Sequence, residues 1–234
     1  MTRQSFKHWV KKACYWGIGV SHRMILNPIN RRHHADKTER KLEIGSGSAR
    51  LEGFETLNIV SRRTVDYVYD AAKPLPFPSD TFDVIYASHI LEHIPWFRTE
   101  EVLREWVRIL APEGRLEIWV PDGEVICQTI LDHSRGRPNN LHLDGWRKRN
   151  PESDPYLWAN GRLFYGATED YPSWHKAVFT ESSLKDLYRR LGLADVRRAA
   201  PNEYRSGSHG DEHVNLGVFG TKGRALEVKR GLAA

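Results

Sequence analysis

The segment that most constrains the fold is 41–48, with the sequence KLEIGSGS. Its apolar residues predict a short buried strand that leads directly into Gly45, Ser46 and Gly47, with Glu43 one residue before the strand ends. Two glycines in such a turn let backbone amides approach a bound ligand closely. Because glycine also marks ordinary turns, the meaning of the segment depends on the strands and helices after Ser48.

The composition is that of a globular protein, with 40% hydrophobic and 28% charged residues in a chain of 234. This length is sufficient to bury a core. The net charge of +5, with many basic residues near the start of the chain, favours an anionic lipid surface or a phosphorylated substrate over nucleic acid. Two cysteines, Cys14 and Cys127, fit neither a disulfide framework nor a zinc cluster and indicate a reducing compartment.

The sequence has no apolar run near the ~18 residues of a transmembrane helix, so we expect a cytoplasmic protein. Residues 5–24 nevertheless predict a basic amphipathic helix that carries Trp9 and Trp16. Such a helix can make peripheral contact with the inner membrane, or its apolar stripe can cover the domain's own core. Residues 27–40 are polar and contain a proline, and we predict a linker there.

From the glycine turn onward the chain alternates between strand and helix patterns. After the first strand at 41–44, strands are predicted at 55–60, 65–70, 82–87, 115–121, 195–199 and 215–221. Amphipathic helices are predicted at 99–110 and, after the N-cap Thr180, at 180–191. Only a short turn of helix fits between the first two strands. Strand, helix and strand with this spacing predict a βαβ sheet protein.

Residues 133–179 depart from this alternation. The segment is rich in proline, glycine, asparagine and aromatic residues and shows little periodicity. A long irregular segment in a compact α/β domain is usually a lid or a binding loop. We therefore predict an N-terminal helix and linker at 1–40, a domain at 41–223 with a lid insertion at 133–179, and a polar tail at 224–234.

Three stretches stand in order: LEIGSG, then VYDAAKPLPFPSDTFDVIYASHILEHI, then VLREWVRILAPEGRLEIWVPD. Together they resemble the class I S-adenosylmethionine-dependent methyltransferases. They are most similar to small bacterial members in the biosynthesis of glycans and cell surfaces. The resemblance implies an α/β fold with a Rossmann-like, doubly wound, mostly parallel sheet. About seven strands are expected, the last one antiparallel, with helices on both faces.

The resemblance also implies S-adenosylmethionine as cofactor, bound outside the carboxyl ends of the strands. The first motif would hold the methionine and ribose through its acidic residue and glycines, Asp70 and Ala71 would bind the adenine, and Ser88 and His89 would line the methionine and sulfonium. The predicted cofactor residues are Glu43, Gly45, Ser46, Gly47, Asn58, Asp70, Ala71, Ser88 and His89.

The second strand departs from the family pattern. The family usually has an acidic residue there that holds the ribose hydroxyls, whereas the sequence LNIV puts Val60 in that position, with Asn58 as the nearest polar residue. A nicotinamide-binding domain is the rival interpretation of the glycine turn. It requires a third glycine where this chain has Arg50, so the methyltransferase interpretation is favoured.

Methyl transfer to a hydroxyl requires an in-line approach and a base. Imidazoles are the candidates because their pKa lies near neutrality. His89 and His93 come after the fourth strand, and His175 comes from the lid, where we expect the acceptor and therefore the base. The alternative for each histidine is plain packing.

His89 and His93 also have a spacing that could bind a metal. The residues Asp122, His142 and Asp144 could add ligands, but no spacing matches a dedicated motif, and we predict no metal site. The aromatic residues of the lid could form a platform for a sugar ring, or they could simply fill the lid.

Two functions of different class fit these residues. The first is O-methylation of a small-molecule or glycan acceptor, specifically a sugar or surface-glycan intermediate, with no nucleic-acid partner. The second is a non-catalytic binding or scaffold protein with a methyltransferase fold, held at the membrane by residues 5–24. The intact motif residues favour the enzyme, and Val60 favours the scaffold.

Overall fold

The computed structural model describes residues 19–47, 49–143, 150, 152–164, 174–205 and 214–224. They form a seven-stranded sheet with the strand order β3-β2-β1-β4-β5-β7-β6. The strands are β1 (Lys41–Ile44), β2 (Phe54–Asn58), β3 (Tyr67–Val68), β4 (Phe82–Ser88), β5 (Leu110–Pro121), β6 (Leu193–Arg198) and β7 (Asn215–Lys222).

Helices surround this sheet. A π-helical turn at His22–Leu26 continues into α1 (Asn27–His34), and the others are α2 (Thr99–Ile109), α3 (Gly123–Ser134), α4 (Pro155–Phe164) and α5 (Glu181–Arg190). None of the described helices is long and apolar enough to cross a membrane.

The predicted fold class is confirmed. Strands β1 to β5 pair in parallel, and β7 is antiparallel to both of its neighbours, β5 and β6. The core between sheet and helices includes α2 and α5, whose Trp106 and Tyr188 are fully buried. The hydroxyl of Tyr188 donates to the carbonyl of Val218 at 3.0 Å and so ties α5 to β7.

The connection between β1 and β2 differs from the prediction. Residues 49–53 form a bend and a turn rather than a turn of helix. Strand β3 is also shorter than predicted, because the side chain of Asp66 takes over part of the pairing with β2. Its carboxylate accepts from the backbone amide of Thr56, and its own amide donates to the Thr56 hydroxyl.

The predicted linker at 27–40 is wrong over its first half, because Asn27–His34 is helix α1. The helix lies against the edge strand β3 through polar side chains. Asn27 accepts from the Val68 amide at 3.1 Å and donates to the Val68 carbonyl at 3.4 Å, so it replaces a missing neighbouring strand. Covering an edge in this way prevents pairing with another chain.

Because the helical segment 22–34 contacts β3 through polar side chains, its apolar side chains remain exposed to solvent. Met24, Ile25 and Ile29 are each more than half exposed, while His22 and Asn27 are buried. The apolar stripe therefore does not cover the domain core within the described part of the chain. Residues 5–18 of the predicted helix lie outside the described residues.

The lid prediction for 133–179 also requires correction, because α4 lies within it. Trp158 and Phe179 are buried in the core rather than available to a ligand. Helix α3 was not predicted at all. Its N-cap is Asp122, whose carboxylate accepts from the amides of Glu124 and Val125. The apolar residues of α3, at 125–127 and 130–131, are spread around the helix, so its periodicity is weak.

A buried ionic cluster joins the amino-terminal ends of β1 and β2. Glu55 is fully buried, and both of its oxygens accept from the guanidinium of Arg40, at 2.8 and 2.9 Å. The hydroxyl of Tyr67 donates to the same carboxylate at 2.6 Å. Burial and this contact with Glu55 raise the pKa of Tyr67, so the phenol stays a donor.

We expect Glu55→Gln to lower the free energy of unfolding by about 3 kcal/mol, because removal of one partner leaves a buried guanidinium and phenol poorly matched. The matched control is Glu39→Gln, which removes an exposed pair with Lys41 and should cost less than about 0.5 kcal/mol. Urea denaturation of both variants checks this. Equal losses would contradict a structural role for the buried cluster.

Candidate functional site

The strand order reverses between β1 and β4, since the chain proceeds from β1 to β2 and β3 on one side and then returns to β4 on the other. In open parallel sheets the crevice at this switch point binds ligands. A cavity of about 620 Å³ lies there. Its lining includes Gly45, Asn58, Ile59, Asp70, Ala71, Ile90, His93 and Lys176.

Gly45 shapes the floor of the cavity. Its φ of +81° is in the left-handed region, and a Cβ built on it would lie 2.0 Å from Cδ1 of Ile90. Both backbone strain and contact with Ile90 therefore require glycine here. The amide of Gly45 donates to the carbonyl of Leu57 at 2.8 Å, which joins the turn to β2.

The other residues of the first motif surround this floor without lining the cavity. Ser46 is buried, and a Cβ on Gly47 would meet no atom within 4 Å. Glu43 is also buried, and its Oε2 has no hydrogen-bond partner in the described structure. Burial raises the pKa of Glu43. An unpartnered buried oxygen beside a ligand cavity is suited to a ligand donor or a bound water.

Val60, the position at which the sequence departs from the family pattern, does not line the cavity. Strand β2 ends at Asn58, and Asn58 and Ile59 line the cavity, whereas Val60 does not. Both polar atoms of the Asn58 side chain already make hydrogen bonds. Its Nδ2 donates to the carbonyl of Ser46 at 2.6 Å, and its Oδ1 accepts from the amide of Val60 at 2.9 Å. Thus Asn58 connects the two loops that frame the cavity.

Asp70 and Ala71 come after β3 and lie on the cavity wall. One oxygen of Asp70 accepts from the Ala72 amide at 3.0 Å, which forms a tight turn, and the other lies 4.0 Å from the ammonium of Lys73. A carboxylate oxygen and a backbone amide side by side can recognise an adenine edge.

The cavity therefore fits S-adenosylmethionine in three respects. Its floor is a glycine that leaves no room for a side chain, its wall includes the carboxylate of Asp70 and the adjacent Ala71, and Glu43, a buried acid with an unpartnered oxygen, directly precedes the lining residue Ile44. Bound there, S-adenosylmethionine supplies an electrophilic methyl group on a positively charged sulfur. Gly45, Asn58, Asp70 and Ala71 would hold it.

The two cofactor residues predicted at the end of β4, Ser88 and His89, do not line the cavity. Ser88 turns away from the cavity, and its hydroxyl lies 3.0 Å from that of Tyr204. His89 has a φ of +54°, which is rare for a residue with a side chain. This conformation lets its Nδ1 donate to Glu92 at 3.0 Å. His89 therefore orients Glu92 and is absent from the cavity lining.

Four side chains meet where β4 ends. Glu92 is buried, and His175 Nε2 lies 4.0 Å from its Oε1. The rings of His93 and His175 pack edge to face with centroids 4.9 Å apart. His93 also lines the cavity. The structure thus brings together His89, His93 and His175, the three histidines predicted as catalytic, and adds Glu92 at their centre.

Burial sets the protonation of this cluster. It lowers the pKa of His175, since the ring leaves water and the charged form is disfavoured. Burial alone would raise the pKa of Glu92, but the hydrogen bond from His89 and the other nearby imidazoles outweigh it and hold that pKa below its usual range. Glu92 is therefore a buried carboxylate anion.

Backbone hydrogen bonds hold the cluster together. The carbonyl of Glu92 accepts from the amides of Lys176, at 2.6 Å, and Ala177, at 3.2 Å. The ammonium of Lys176 donates to the carbonyl of His93 at 3.2 Å. Sequence reasoning gave no role to Glu92 or Lys176. Their positions in the sequence directly beside His93 and His175 could have indicated that they belong to the same site.

The other ligands considered for a metal lie elsewhere. Asp122 is the cap of α3 and pairs with Arg198 at 2.9 Å. His142 packs against His133, with ring centroids 5.9 Å apart. Asp144 lies outside the described residues. Neither Asp122 nor His142 joins the histidine cluster.

We expect Asp70→Ala to weaken S-adenosylmethionine binding by ~1–3 kcal/mol, which is the cost of losing a hydrogen bond whose acceptor is a charged carboxylate. Asp70→Asn keeps the turn oxygen for Ala72 while it replaces the second carboxylate oxygen, so it separates ligand contact from loop structure. Calorimetry measures both. Full affinity in Asp70→Asn together with a loss in Asp70→Ala would show that Asp70 only shapes the loop.

Comparison with known proteins agrees with this geometry. The family model described as "Methyltransferase domain" matches residues 29–118, which contain β1 to β4 and every cavity-lining residue except Lys176. A methyltransferase of Schizosaccharomyces pombe, itself uncharacterized, is 24% identical over 210 residues, which is 78% of this chain and 76% of that protein. A demethylmenaquinone methyltransferase of Anoxybacillus flavithermus is 25% identical over 187 residues, 78% of this chain and 66% of its own.

Among solved structures, a methyltransferase of Thermotoga maritima, described as a possible histamine N-methyltransferase, aligns with a TM-score of 0.45 and 18% identity. The alignment covers 94% of this chain and 100% of that one. The family match, the strand order and the cavity at the switch point agree with the resemblance in the sequence motifs. The chain carries a methyltransferase domain and is similar to the class I S-adenosylmethionine-dependent methyltransferases; these matches support S-adenosylmethionine-dependent methyltransferase activity, with S-adenosylmethionine as the cofactor.

Proposed function

We propose that the protein methylates an oxygen of a hydroxyl acceptor, and that the acceptor is a sugar or a surface-glycan intermediate. This proposal rests on the cluster of Glu92, His93 and His175 beside the cofactor cavity. In the overall reaction the acceptor oxygen bonds to the methyl carbon, the carbon–sulfur bond breaks, and S-adenosylhomocysteine and the acceptor's proton are released.

The residues of the cavity and the residues of the cluster have separate roles in this proposal. Gly45, Asn58 and Asp70 hold the cofactor against the sheet. His93 and His175 belong to the acceptor side of the cavity, where the cluster promotes loss of the hydroxyl proton. His89 acts through Glu92, which it orients, and is a positioning residue.

Exposed aromatic side chains favour a carbohydrate ring as acceptor. Trp96 comes directly after Pro95, a residue of the cavity lining, and is 74% exposed, and Trp174 is 40% exposed. The amide of Trp96 donates to the carbonyl of Lys176 at 3.3 Å, and the carbonyl of Trp174 lies 3.3 Å from His93 Nδ1. Both tryptophans therefore belong to segments next to the histidine cluster. Aromatic faces bury the apolar side of a sugar ring.

The assay supplies S-adenosylmethionine with a panel of monosaccharides, nucleotide-linked sugars and short oligosaccharides, and detects S-adenosylhomocysteine and the methyl ether. Because demethylmenaquinone is the acceptor named for one relative, it is included as a contrasting acceptor. Transfer to a sugar hydroxyl supports the proposal. Transfer to demethylmenaquinone alone would overturn it.

With an accepted sugar, Trp174→Ala should raise the KM for that sugar about tenfold, or ~1.4 kcal/mol, with unchanged affinity for S-adenosylmethionine. The substitution leaves the backbone carbonyl beside His93 in place. Tyr156→Ala is the matched control, because this half-exposed aromatic packs on His133 and not at the cavity. Equal effects of the two variants would contradict a sugar platform at Trp174.

We also propose peripheral contact with an anionic membrane through the N-terminal helix. Four apolar side chains are exposed at 24–26 and 29, because the helix uses polar side chains against β3. The exposed Arg23 and Arg32 lie beside them. Apolar and basic side chains together are typical of helices that lie in a lipid interface.

Vesicles of phosphatidylglycerol should bind the protein more tightly than vesicles of phosphatidylcholine, and salt should weaken the binding because charge attraction is screened within ~10 Å at 0.1 M. The double variant Ile25→Asp and Ile29→Asp should bind at least about tenfold more weakly, ~1.4 kcal/mol. Leu143→Asp, which alters an exposed apolar residue elsewhere, serves as control. Binding that the double variant retains would contradict the contact.

A further inference from the structure

The cluster beside the cavity has the geometry of a ligand set. One carboxylate oxygen of Glu92 and one ring nitrogen each of His93 and His175 all lie within 4.8 Å of one another. Ligands of a first-row metal at ~2.0–2.2 Å are separated by little more than 3 Å, so a shift of about one ångström would close this set around an ion.

The tautomers of the two histidines are fixed by their surroundings. Nδ1 of His175 faces the carbonyl of Arg162 at 3.0 Å, and Nδ1 of His93 faces the carbonyl of Trp174 at 3.3 Å. A carbonyl only accepts hydrogen bonds, so each Nδ1 carries a proton and donates. In the neutral ring, Nε2 then presents a lone pair. Metal-binding histidines are typically held by this same contact between the second ring nitrogen and a carbonyl.

Glu92 completes the pattern. Its Oε1 accepts from His89, whereas its Oε2 is buried and has no hydrogen-bond partner in the described structure. The Nε2 lone pair of the neutral His175 ring lies 4.0 Å from the Oε1 of this carboxylate. Two acceptor atoms that face each other in this way repel unless a proton or a metal cation lies between them.

The other strongly buried carboxylates of the described structure differ from Glu92 in their charge partners. Glu55, Glu117 and Asp122 are each at most 1% exposed, and each contacts at least one arginine. Glu92 is as deeply buried, and the ionisable groups that act on its carboxylate in the described structure are the imidazoles of His89, His93 and His175. A buried carboxylate without a guanidinium requires another source of positive charge.

We propose that Glu92, His93 and His175 bind a divalent first-row metal ion of the zinc type at the mouth of the cofactor cavity. Two imidazoles and one carboxylate are a known catalytic zinc set that leaves a coordination position open. Since His93 lines the cavity, the open position would face it. His89, which donates to Glu92, is the residue that orients the carboxylate ligand.

The ion would also define how the proposed function operates, and this part rests on that function. A hydroxyl bound at the open position loses its proton more readily, because the cation stabilises the alkoxide. The proton passes to solvent, and the oxygen is held beside the cavity for attack on the methyl group. Binding of the ion itself requires no assumption about the acceptor.

The first experiment measures binding without any activity. The full chain is stripped with EDTA, exchanged into metal-free buffer, and titrated with Zn²⁺ by calorimetry and with Co²⁺ by visible absorption. We expect one equivalent to bind, with absorption bands of low-symmetry Co²⁺ coordination. Glu92→Gln and His175→Ala should each weaken binding by at least about a hundredfold, and His89→Gln by ~10–100-fold, as for residues that orient a ligand.

His33→Ala is the matched control, because His33 is an exposed histidine of α1 and its loss should leave binding unchanged. Calorimetry with S-adenosylmethionine confirms that each variant retains a folded cofactor site. Absence of a stoichiometric ion in the unaltered protein would overturn the proposal. So would binding that persists in Glu92→Gln and His175→Ala, since it would come from histidines elsewhere.

A second experiment separates the ion from the reaction. Once an acceptor is found, stripped protein should lose methyl transfer and regain it with Zn²⁺, Co²⁺ or Mn²⁺, while its affinity for S-adenosylmethionine stays the same. Full activity of stripped protein would overturn the role of the ion and leave the proposed function standing. Stoichiometric ion binding that is lost in the cluster variants, with no hydroxyl methylated, would support the site and contradict the proposed function.

Discussion

The structure depends on one electrostatic constraint: a carboxylate taken out of water requires a compensating charge and filled hydrogen bonds. Four buried acids meet it with arginine and thereby fix the sheet to its surroundings. The pairs are Glu55 with Arg40, Asp66 with Arg50, Asp122 with Arg198, and Glu117 with Arg115 and Arg205. They tie strands β1, β2 and β5 to neighbouring loops and helices.

Two buried acids depart from this rule, and both lie at the ligand site. Glu43 beneath the glycine turn and Glu92 after β4 each retain an oxygen without a hydrogen-bond partner in the described part of the chain. Burial raises the pKa of Glu43, whereas imidazoles keep Glu92 ionised. The predicted cofactor site and the proposed acceptor site therefore coincide with the positions where the fold leaves a buried acid incompletely compensated. Such departures from local rules are typical of functional sites.

The sequence predicted the sheet well, because its signals are local. Apolar runs bounded by proline and glycine define β1, β4 and β5, and the motif order predicted the antiparallel last strand. The same local patterns placed Gly45 and Asp70 at the cavity. They failed for α1, whose contact with the edge of β3 depends on Asn27 matching a backbone 41 residues away. They also placed the end of β2 at Val60, whereas the strand ends at Asn58, because the end of a strand cannot be located to one residue from its pattern.

The histidine cluster could only be half predicted, for a topological reason. His89 and His93 come after β4, so the strand pattern locates them, but His175 arrives from 82 residues further along the chain than His93. What brings it there is the backbone of Glu92, whose carbonyl accepts from Lys176 and Ala177. The same residue thus supplies the buried carboxylate and the hydrogen bonds that position its third partner. Because every cavity-lining residue except Lys176 lies within 44–95, we expect substitutions in the described residues 133–143 and 152–164 to leave the cofactor cavity intact.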